Sequence, residues 1–327
     1  MANVLVVDNL DVTFALHQSE VKAVSDLDFT LAEGETLAVV GESGSGKSQA
    51  FLSIMGLLAR NGKASGRAML GDVNLIGLAP DRLDNYRGKD IAMIFQDPMT
   101  SLNPTLRIKT QLAEVLVRHQ GYTAEKANRA VIEMLERVGI PEPVKRANAY
   151  PHELSGGMRQ RVMIAMALLC KPKVLIADEP TTALDVTVQA QMLDLFKSLT
   201  NDFGTALVLI THDLGVVAGV ADRMMVMYGG RCIEKGPTDT LFYDPRHPYT
   251  LGLLHSTPHV AKRAKRLDPI QGLPPSLEHL PKGCAFHPRC AFRFERCFEE
   301  RPPLLPVEDV REKACWYQGE LKYEEVA

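Results

Sequence analysis

The sequence lacks the features that mark membrane-spanning, secreted and nucleic-acid-binding proteins. It has no run of about 18 consecutive apolar residues, roughly the length that a membrane-spanning helix needs, so the chain is not expected to cross a membrane. Its start, MANVLVVDNL, has no basic segment followed by a long apolar one, so it does not read as a signal peptide. The net charge is −3 with no extended run of one sign, which argues against a nucleic-acid partner.

The composition is that of a globular protein. The 327 residues are 46% hydrophobic and 24% charged, which is enough for one large core and an appended module. Short apolar segments alternate with helical patterns, and this order predicts an α/β fold with a mostly parallel sheet and ligands at its carboxyl edge. The predicted strands are Val4–Val7, Leu37–Val40, Ile91–Phe95, Val174–Ala177, Ala206–Ile210 and Met224–Met227.

Two regions depart from this alternation. From Thr110 to Gly139 the apolar residues recur at helical spacing, and three prolines between residues 141 and 151 end the stretch. This pattern predicts a helical subdomain at about residues 97–160. From about Pro237 the sequence becomes proline-rich and irregular, and it holds four of the six cysteines. We expect a small, irregular C-terminal extension at residues 256–327.

The most informative segment runs from Gly41 to Ser48 and reads GESGSGKS, between an apolar strand and a helical pattern. Glycines in such a loop let the backbone close around a phosphate chain, so that N–H groups point inward and the helix start adds its positive dipole end. Lys47 can reach the β- and γ-phosphates of a nucleotide, and Ser48 can place its hydroxyl on Mg²⁺. The candidate nucleotide-binding residues here are Gly41, Ser43, Gly44, Ser45, Gly46, Lys47 and Ser48.

Two further segments carry polar residues at the ends of apolar patterns. VLIADEP, from Val174 to Pro180, ends in two carboxylates. Asp178 fits a carboxylate that holds Mg²⁺, and Glu179 fits a base or positioner for the attacking water, unless both are solvated loop charges. LSGGMRQR begins at Leu154. Its Ser155, Gly156 and Gly157 offer backbone N–H groups to an anion, although such a group could also be only a helix cap.

The order of these segments resembles the nucleotide-binding subunit of the ABC transporter family over about residues 1–255. The resemblance extends to Ala183-Leu184-Asp185 and to Ile210-Thr211-His212-Asp213. It implies an ABC-type P-loop fold, ATP and Mg²⁺ as ligands, and hydrolysis of ATP. The implied roles are a Walker B aspartate for Asp178, a catalytic glutamate for Glu179, a switch histidine for His212, and a Q-loop glutamine that senses Mg²⁺ and the lytic water for Gln96.

Two implied roles involve contacts beyond these motifs. In the family, the residues corresponding to Ser155, Gly156 and Gly157 reach across a head-to-tail dimer to the γ-phosphate bound by the partner's P-loop. Phe14 would stack on adenine, although packing in a strand core also explains an aromatic residue at this place.

Three segments narrow the resemblance to the D-type ATPase subunit of dipeptide and oligopeptide importers. They are IFQDPMTSLNP from Ile94 to Pro104, RHPYT from Arg246 to Thr250, and HPRC from His287 to Cys290. Such subunits power peptide import through ATP-driven dimerisation, as peripheral proteins at the cytoplasmic face of the bacterial inner membrane. The implied partners are a second related ATPase, two transmembrane permeases and an extracytoplasmic peptide-binding protein, with no nucleic acid.

The four cysteines of the extension suggest a metal centre. Cys284, Cys290, Cys297 and Cys315 lack the tight pairs usual for structural zinc, and an iron–sulfur cluster accepts varied spacings. The resemblance implies a 4Fe–4S cluster on these residues, with zinc or no metal as alternatives. Cys170 and Cys232 lie in apolar surroundings and are expected to act as small hydrophobes.

Alternative functions come from other classes. The chain could serve an importer of another small solute, or it could be a non-transport ABC ATPase that acts on DNA or ribosomes. Such ATPases tend to have two nucleotide-binding domains or a long coiled-coil insertion, and this sequence shows neither. A sensor that only retains the fold is disfavoured because Glu179 and His212 are both present.

Overall fold

The structure is a computed structural model that describes residues 2–17, 19–96, 101–181, 186–256, 270–308 and 310–321. Its strands are β1 Asn3–Ala15, β2 Glu20–Ala32, β3 Thr36–Val40, β4 Gly62–Leu70, β5 Val73–Asn74, β6 Ile91–Ile94, β7 Val174–Asp178, β8 Ala206–Thr211, β9 Arg223–Tyr228, β10 Arg231–Pro237, β11 Leu305–Glu308 and β12 Arg311–Lys313. Its helices are α1 Lys47–Ile54, α2 Pro80–Leu83, α3 Ile108–Gln120, α4 Ala124–Arg137, α5 Pro143–Ala147, α6 Gly156–Leu168, α7 Val186–Phe203, α8 Leu214–Val217, α9 Thr238–Tyr243, α10 Pro248–His255 and α11 Glu295–Glu299.

The chain divides into two compact units, each described by itself. Unit 1 comprises Met1–Val4, Ala32–Glu35 and Leu78–Leu209, and unit 2 comprises Leu5–Leu31, Thr36–Gly77 and Ile210–Ala327. Among the residues that the structure describes, no helix is both long and apolar enough to cross a membrane.

Unit 1 is built on parallel strands. β7 lies next to β6, and the two pair in parallel along the whole of β6. Every residue of β7 is buried, as is every residue of β8, which is the continuous apolar pattern expected of parallel strands covered on both faces. The predictions for β6, β7 and β8 are confirmed, and the end of each strand lies within one residue of its predicted end.

The helical stretch of unit 1 is two helices rather than one. α3 ends at Gly121, whose φ of 64° closes the helix in the left-handed conformation, and α4 begins after Thr123, whose hydroxyl accepts from the N–H of Lys126. The prolines that were expected to end the helical stretch follow the end of α4, and Pro143 is itself the first residue of the short helix α5. Proline suits that position because the first helical N–H has no partner within the helix.

Unit 2 contains strands that the sequence did not predict. β3 pairs with β9 in parallel as expected, and β10 then pairs with β9 in the antiparallel direction. A second, antiparallel sheet has the order β2-β1-β4-β5. Only Val4–Val7 of this sheet was predicted, because the alternation of apolar residues in β1 breaks at a bulge between Asp8 and Asp11.

The C-terminal extension is more regular than expected, and it belongs to unit 2 rather than standing apart. β12 pairs with β10, and β11 pairs with β12, so the extension adds two strands to the sheet of β10. Among the residues of the extension that the structure describes, the other regular parts are α11 and the 3₁₀ turn His287–Arg289. The P-loop lies in the same unit.

A buried carboxylate sets the start of α10. Glu234 of β10 is fully buried and accepts hydrogen bonds from the backbone N–H groups of Arg246 and His247, at 2.7 and 3.0 Å. Burial raises the pKa of Glu234 to about 7 and lowers the pKa of His247 to about 3. A neutral His247 can therefore accept at Nδ1 from the N–H of Tyr249, and it does so at 3.0 Å. These contacts fix the position of Tyr249.

We predict that Glu234→Ala lowers the free energy of unfolding by about 2–4 kcal/mol, because two buried backbone donors lose their acceptor. The measurement is the thermal midpoint of the purified chain, followed by circular dichroism. Glu312→Ala is the matched control, since Glu312 is only half-buried and its carboxylate pairs with the ammonium of Lys235, at 3.2 Å. Equal losses in the two variants would contradict a special role for Glu234.

Candidate nucleotide-binding site

The P-loop of unit 2 follows β3 and leads into α1, in the strand, loop and helix order that was predicted. Gly41 has a φ of +152°, and a side chain there would overlap the carbonyl oxygen of Met227. Gly46 caps the start of α1 with a φ of 95°. Ser43 and Gly44 are exposed, Ser45 is buried and Ser48 is half-buried. The exposed middle of the loop is therefore the part that a ligand can reach.

Lys47 turns back onto the loop that precedes it. Its ammonium nitrogen donates to the carbonyl oxygens of Gly41 and Glu42, at 2.7 and 2.9 Å, and the residue is only 5% exposed. A buried cation is costly to desolvate, and carbonyl dipoles offset part of that cost. The Lys47 ammonium is therefore already positioned beside the loop before an anionic phosphate binds.

In unit 1, Gln96 and Glu179 meet although 83 positions separate them. The side-chain amide of Gln96 donates to the Glu179 carboxylate, Nε2 to Oε2, at 2.9 Å. Gln96 follows β6 and Glu179 follows β7, so neighbouring parallel strands bring the two side chains together. Glu179 has a φ of 45°, a left-handed backbone that is uncommon outside glycine and is found most often at functional sites. Asp178, the last residue of β7, is buried.

The Ser155 segment of unit 1 forms the start of α6. The hydroxyl of Ser155 caps the helix by accepting from the N–H of Met158, at 3.4 Å. The capping interpretation of this motif is thus correct for the serine. A side chain at Gly156 would meet no atom of the described residues within 4 Å.

His212 and Phe14 lie in unit 2. His212 is exposed and follows β8, beside a turn in which Asp213 accepts from the N–H of Gly215 at 2.8 Å. Phe14 is half-buried in β1, opposite Gly62 of β4, where a side chain on that glycine would collide with the Phe14 ring. The structure thus shows a packing contact for Phe14 and leaves part of its surface open.

Sequence reasoning missed the residues that lie behind the P-loop. The Glu42 carboxylate pairs with Arg289, and the Glu42 N–H donates to the Tyr249 hydroxyl. A groove beside the loop is closed on its other side by Pro274–Glu278 of the extension. Arg289 and Tyr249 stand in the segments HPRC and RHPYT, which the sequence offered only as marks of a resemblance.

The four cysteines of the extension line one small apolar cavity, together with Trp316. The backbone N–H of Cys284 donates to the carbonyl of Cys297, at 2.9 Å. Burial, with a smaller contribution from the neighbouring thiols, raises the pKa of the Cys290 thiol to about 12 and that of Cys315 to about 11. Among the described residues, no three His, Cys, Asp or Glu side chains are gathered around a point where a single metal ion could bind.

Cys170 and Cys232 are both buried away from this cavity, as expected of small hydrophobic residues. Two predicted segments, Asp97–Thr100 of the Q-loop region and Ala183–Asp185, lie outside the described residues.

Comparison with known protein families gives two matches. The family described as "ABC transporter" matches residues 24–182, and the one described as "Oligopeptide/dipeptide transporter, C-terminal region" matches residues 233–297. The chain is 52% identical, over 98% of its length, to the oligopeptide transport ATP-binding protein OppD of Haemophilus influenzae, of which 99% is covered. It is 53% identical, over 96% of its length, to OppD of Salmonella typhimurium, of which 94% is covered.

Solved structures agree with this assignment. A dimeric post-hydrolysis state of the ATP-binding cassette MJ0796, bound to ADP and Pi, matches with a TM-score of 0.64 at 27% identity, covering 72% of this chain and 98% of that one. CbiO1 from Clostridium perfringens matches with a TM-score of 0.63 at 27% identity, covering 74% of this chain and 91% of that one. The chain belongs to the ABC transporter family, in its oligopeptide and dipeptide transporter branch, and it is an ATPase.

We predict that Gly41→Ala abolishes ATP binding, whereas Gly44→Ala weakens it only moderately. The first change forces a methyl group onto the Met227 carbonyl, and the second adds only backbone strain of about 1–2 kcal/mol in open space. Titration with a fluorescent ATP analogue measures both, and circular dichroism checks that each variant is folded. Equal affinities would show that the tight approach at Gly41 does not shape the loop.

Proposed function

We propose that this chain is the ATP-hydrolysing subunit of an importer that takes up oligopeptides or dipeptides. Near-complete coverage of two oligopeptide transport ATP-binding proteins at more than 50% identity is the observation that carries the proposal. The match of the C-terminal region to transporters of the same solutes supports it independently of the ATPase core. An importer of another small solute is the alternative, since the ATPase subunit need not contact the solute.

We assign nucleotide binding to the P-loop, and metal binding to the P-loop serine and to residues at the carboxyl ends of β6 and β7. Lys47 would hold the β- and γ-phosphates, and the loop N–H groups from Gly41 to Ser48 would bind the rest of the phosphate chain. Ser48, Asp178 and Gln96 would hold Mg²⁺, which neutralises phosphate charge when bound. The oxygen donors of these side chains are the type that Mg²⁺ prefers. Phe14 would stack on the adenine through its open surface.

We assign water activation to Glu179. Its carboxylate would orient and deprotonate the attacking water, while the amide of Gln96 holds the carboxylate at 2.9 Å. The left-handed backbone of Glu179 supports this role, because strain of this kind is commonly kept where a side chain must point to a reacting group. His212 would contact the γ-phosphate.

Dimerisation would complete the site. Ser155, Gly156 and Gly157 would approach the γ-phosphate held by a partner ATPase, and their place at the start of α6, where helix N–H groups are free to bind an anion, supports such an approach. ATP contacts that exist only in the closed dimer would then shift the population toward it. The partners would be a second related ATPase, two permeases and an extracytoplasmic peptide-binding protein, with the chain peripheral at the cytoplasmic face of the bacterial inner membrane.

We predict that Glu179→Gln keeps ATP binding but lowers hydrolysis by at least about a hundredfold, because general-base catalysis is lost. Lys47→Ala should instead lose ATP binding. In cells from which this chain has been deleted, the parent should restore uptake of a labelled tripeptide, whereas neither variant should. A hydrolysis rate close to the parental one in Glu179→Gln would contradict the role assigned to Glu179. Peptide uptake that is unchanged in cells without the chain would contradict the proposal of peptide import.

We further propose that the cysteine cavity holds a 4Fe–4S cluster. In such a cluster each thiolate binds a different iron, so the four sulfurs surround a cube rather than a point. Four cysteines around one apolar cavity supply the four thiolates that such a cluster needs, and this grouping supports the proposal. Zinc on the same cysteines, or no metal, is the alternative. Thiolate binding to iron would release the protons that burial otherwise keeps on Cys290 and Cys315.

We predict that chain purified without oxygen is brown, with absorbance at about 400 nm and about four irons per chain. Cys290→Ser should lose both signals, because a hydroxyl cannot replace a thiolate on iron. Cys170→Ser is the matched control and should keep both, since Cys170 lies outside the cavity. Colourless chain with one zinc, or with four freely reacting thiols in the extension, would rule the cluster out.

A further inference from the structure

Three polar contacts converge on Glu42, the second residue of the P-loop segment. Its backbone N–H donates to the hydroxyl oxygen of Tyr249, at 2.8 Å. Its carboxylate accepts two hydrogen bonds from Arg289, from Nη1 at 2.6 Å and from Nη2 at 2.9 Å. Its carbonyl accepts from the ammonium of Lys47, at 2.9 Å. The lysine of the P-loop and an arginine of the C-terminal extension therefore hold the same residue.

The Arg289 side chain is fixed in place by its surroundings. It is only 5% exposed. Besides Glu42 it donates to the Tyr228 hydroxyl, from Nη1 at 3.3 Å, and to the Gln271 carbonyl, from Nε at 3.0 Å. A planar guanidinium bonded at both ends to a carboxylate has one geometry, which a lysine could not reproduce. The pair is thus a defined contact rather than a transient surface bridge.

Aromatic side chains form the support beneath this pair. The rings of Tyr228 and Tyr249 lie 4.5 Å apart, and Phe286 of the extension packs edge-on against each at 5.3 Å. All three residues are buried. The ring contacts therefore place the Tyr249 hydroxyl and the Arg289 guanidinium on the same side of the P-loop.

A carboxylate in this position has an electrostatic cost. Glu42 belongs to a loop that binds a polyphosphate, and like charges at short range in a partly buried site repel strongly. Arg289 supplies the opposite charge at hydrogen-bond distance. Without Arg289, the same carboxylate would face an incoming nucleotide with its charge uncompensated.

We propose that Arg289 is a positioning residue for nucleotide binding, which neutralises Glu42 and, together with Tyr249, holds the P-loop from the side of the extension. Nucleotide affinity then depends on the extension being folded against the loop. This inference deepens the proposed function and rests on the P-loop being the nucleotide site.

The test is a double-variant cycle on the full-length chain, with KM and kcat for ATP as the measurements. Arg289→Ala should raise KM about tenfold or more, with kcat at saturating ATP changed less than about threefold, since the lost contact acts on binding. Glu42→Gln should raise KM less than Arg289→Ala does, because it removes the ion pair together with the repelling carboxylate. The double variant should recover most of the loss, because the repelling carboxylate is gone.

Recovery in the double variant separates charge neutralisation from simple anchoring. A purely structural role for Arg289 would leave the double variant at least as impaired as Arg289→Ala, and this result would overturn the proposal. An unchanged KM in Arg289→Ala would overturn it too. If Arg289→Ala does not fold, Arg289→Gln takes its place, with the same expectations.

Arg293→Ala is the matched control for loss of one positive charge from the extension. Arg293 is exposed, and its guanidinium donates within the extension, to the Pro288 carbonyl at 3.1 Å. The KM of Arg293→Ala for ATP should therefore match that of the parent. A KM raised equally in this variant would show that overall charge, rather than the pair, sets affinity. A parent chain that binds no ATP would refute the proposed function itself, which is a different outcome from any of these.

Discussion

A phosphate-binding loop must turn its backbone N–H groups toward the ligand, so those groups contribute little to holding the loop in shape. Other contacts have to do this. Here the ammonium of Lys47 bridges two carbonyls of the loop, and Gly41 lets the backbone pass against Met227 of β9. The Gly230 N–H donates to the carbonyl of Ser45 at 3.1 Å. Contacts with the neighbouring strands and turns thus stabilise the conformation of the loop.

The same constraint explains why the C-terminal segments lie where they do. Glu42 is bound through its N–H, its carbonyl and its carboxylate, and two of these three contacts come from residues beyond position 245. The buried Glu234 orders the start of α10 and thereby places Tyr249. A substitution near Glu234, Tyr249 or Arg289 is therefore expected to change the P-loop, although these residues lie far from the loop in sequence.

The sequence predicted the parts of the structure that depend on local pattern. Apolar runs located the strands of the parallel pairs, and GESGSGKS and VLIADEP located residues that follow strand ends. What it did not predict depends on tertiary contact. The bulge in β1 interrupts the alternation of apolar residues, so the pattern did not predict the full strand. The short strands β11 and β12 depend on pairing with the edge of β10. The contact between Gln96 and Glu179 is another such tertiary contact, since 83 positions separate the two residues.

The pairing of Arg289 with Glu42 also had no signal in the sequence, since 247 positions separate the two residues. Arg289 is also the residue that directly precedes Cys290 in the chain. The turn His287–Arg289 is closed by hydrogen bonds from the Arg289 N–H to Phe286 and from the Cys290 N–H to His287, at 3.0 and 3.3 Å. The turn thus places the arginine that binds Glu42 and a cysteine that lines the apolar cavity at adjacent positions of the chain. The contact with the P-loop and the cysteine cavity therefore depend on the same short turn of the extension.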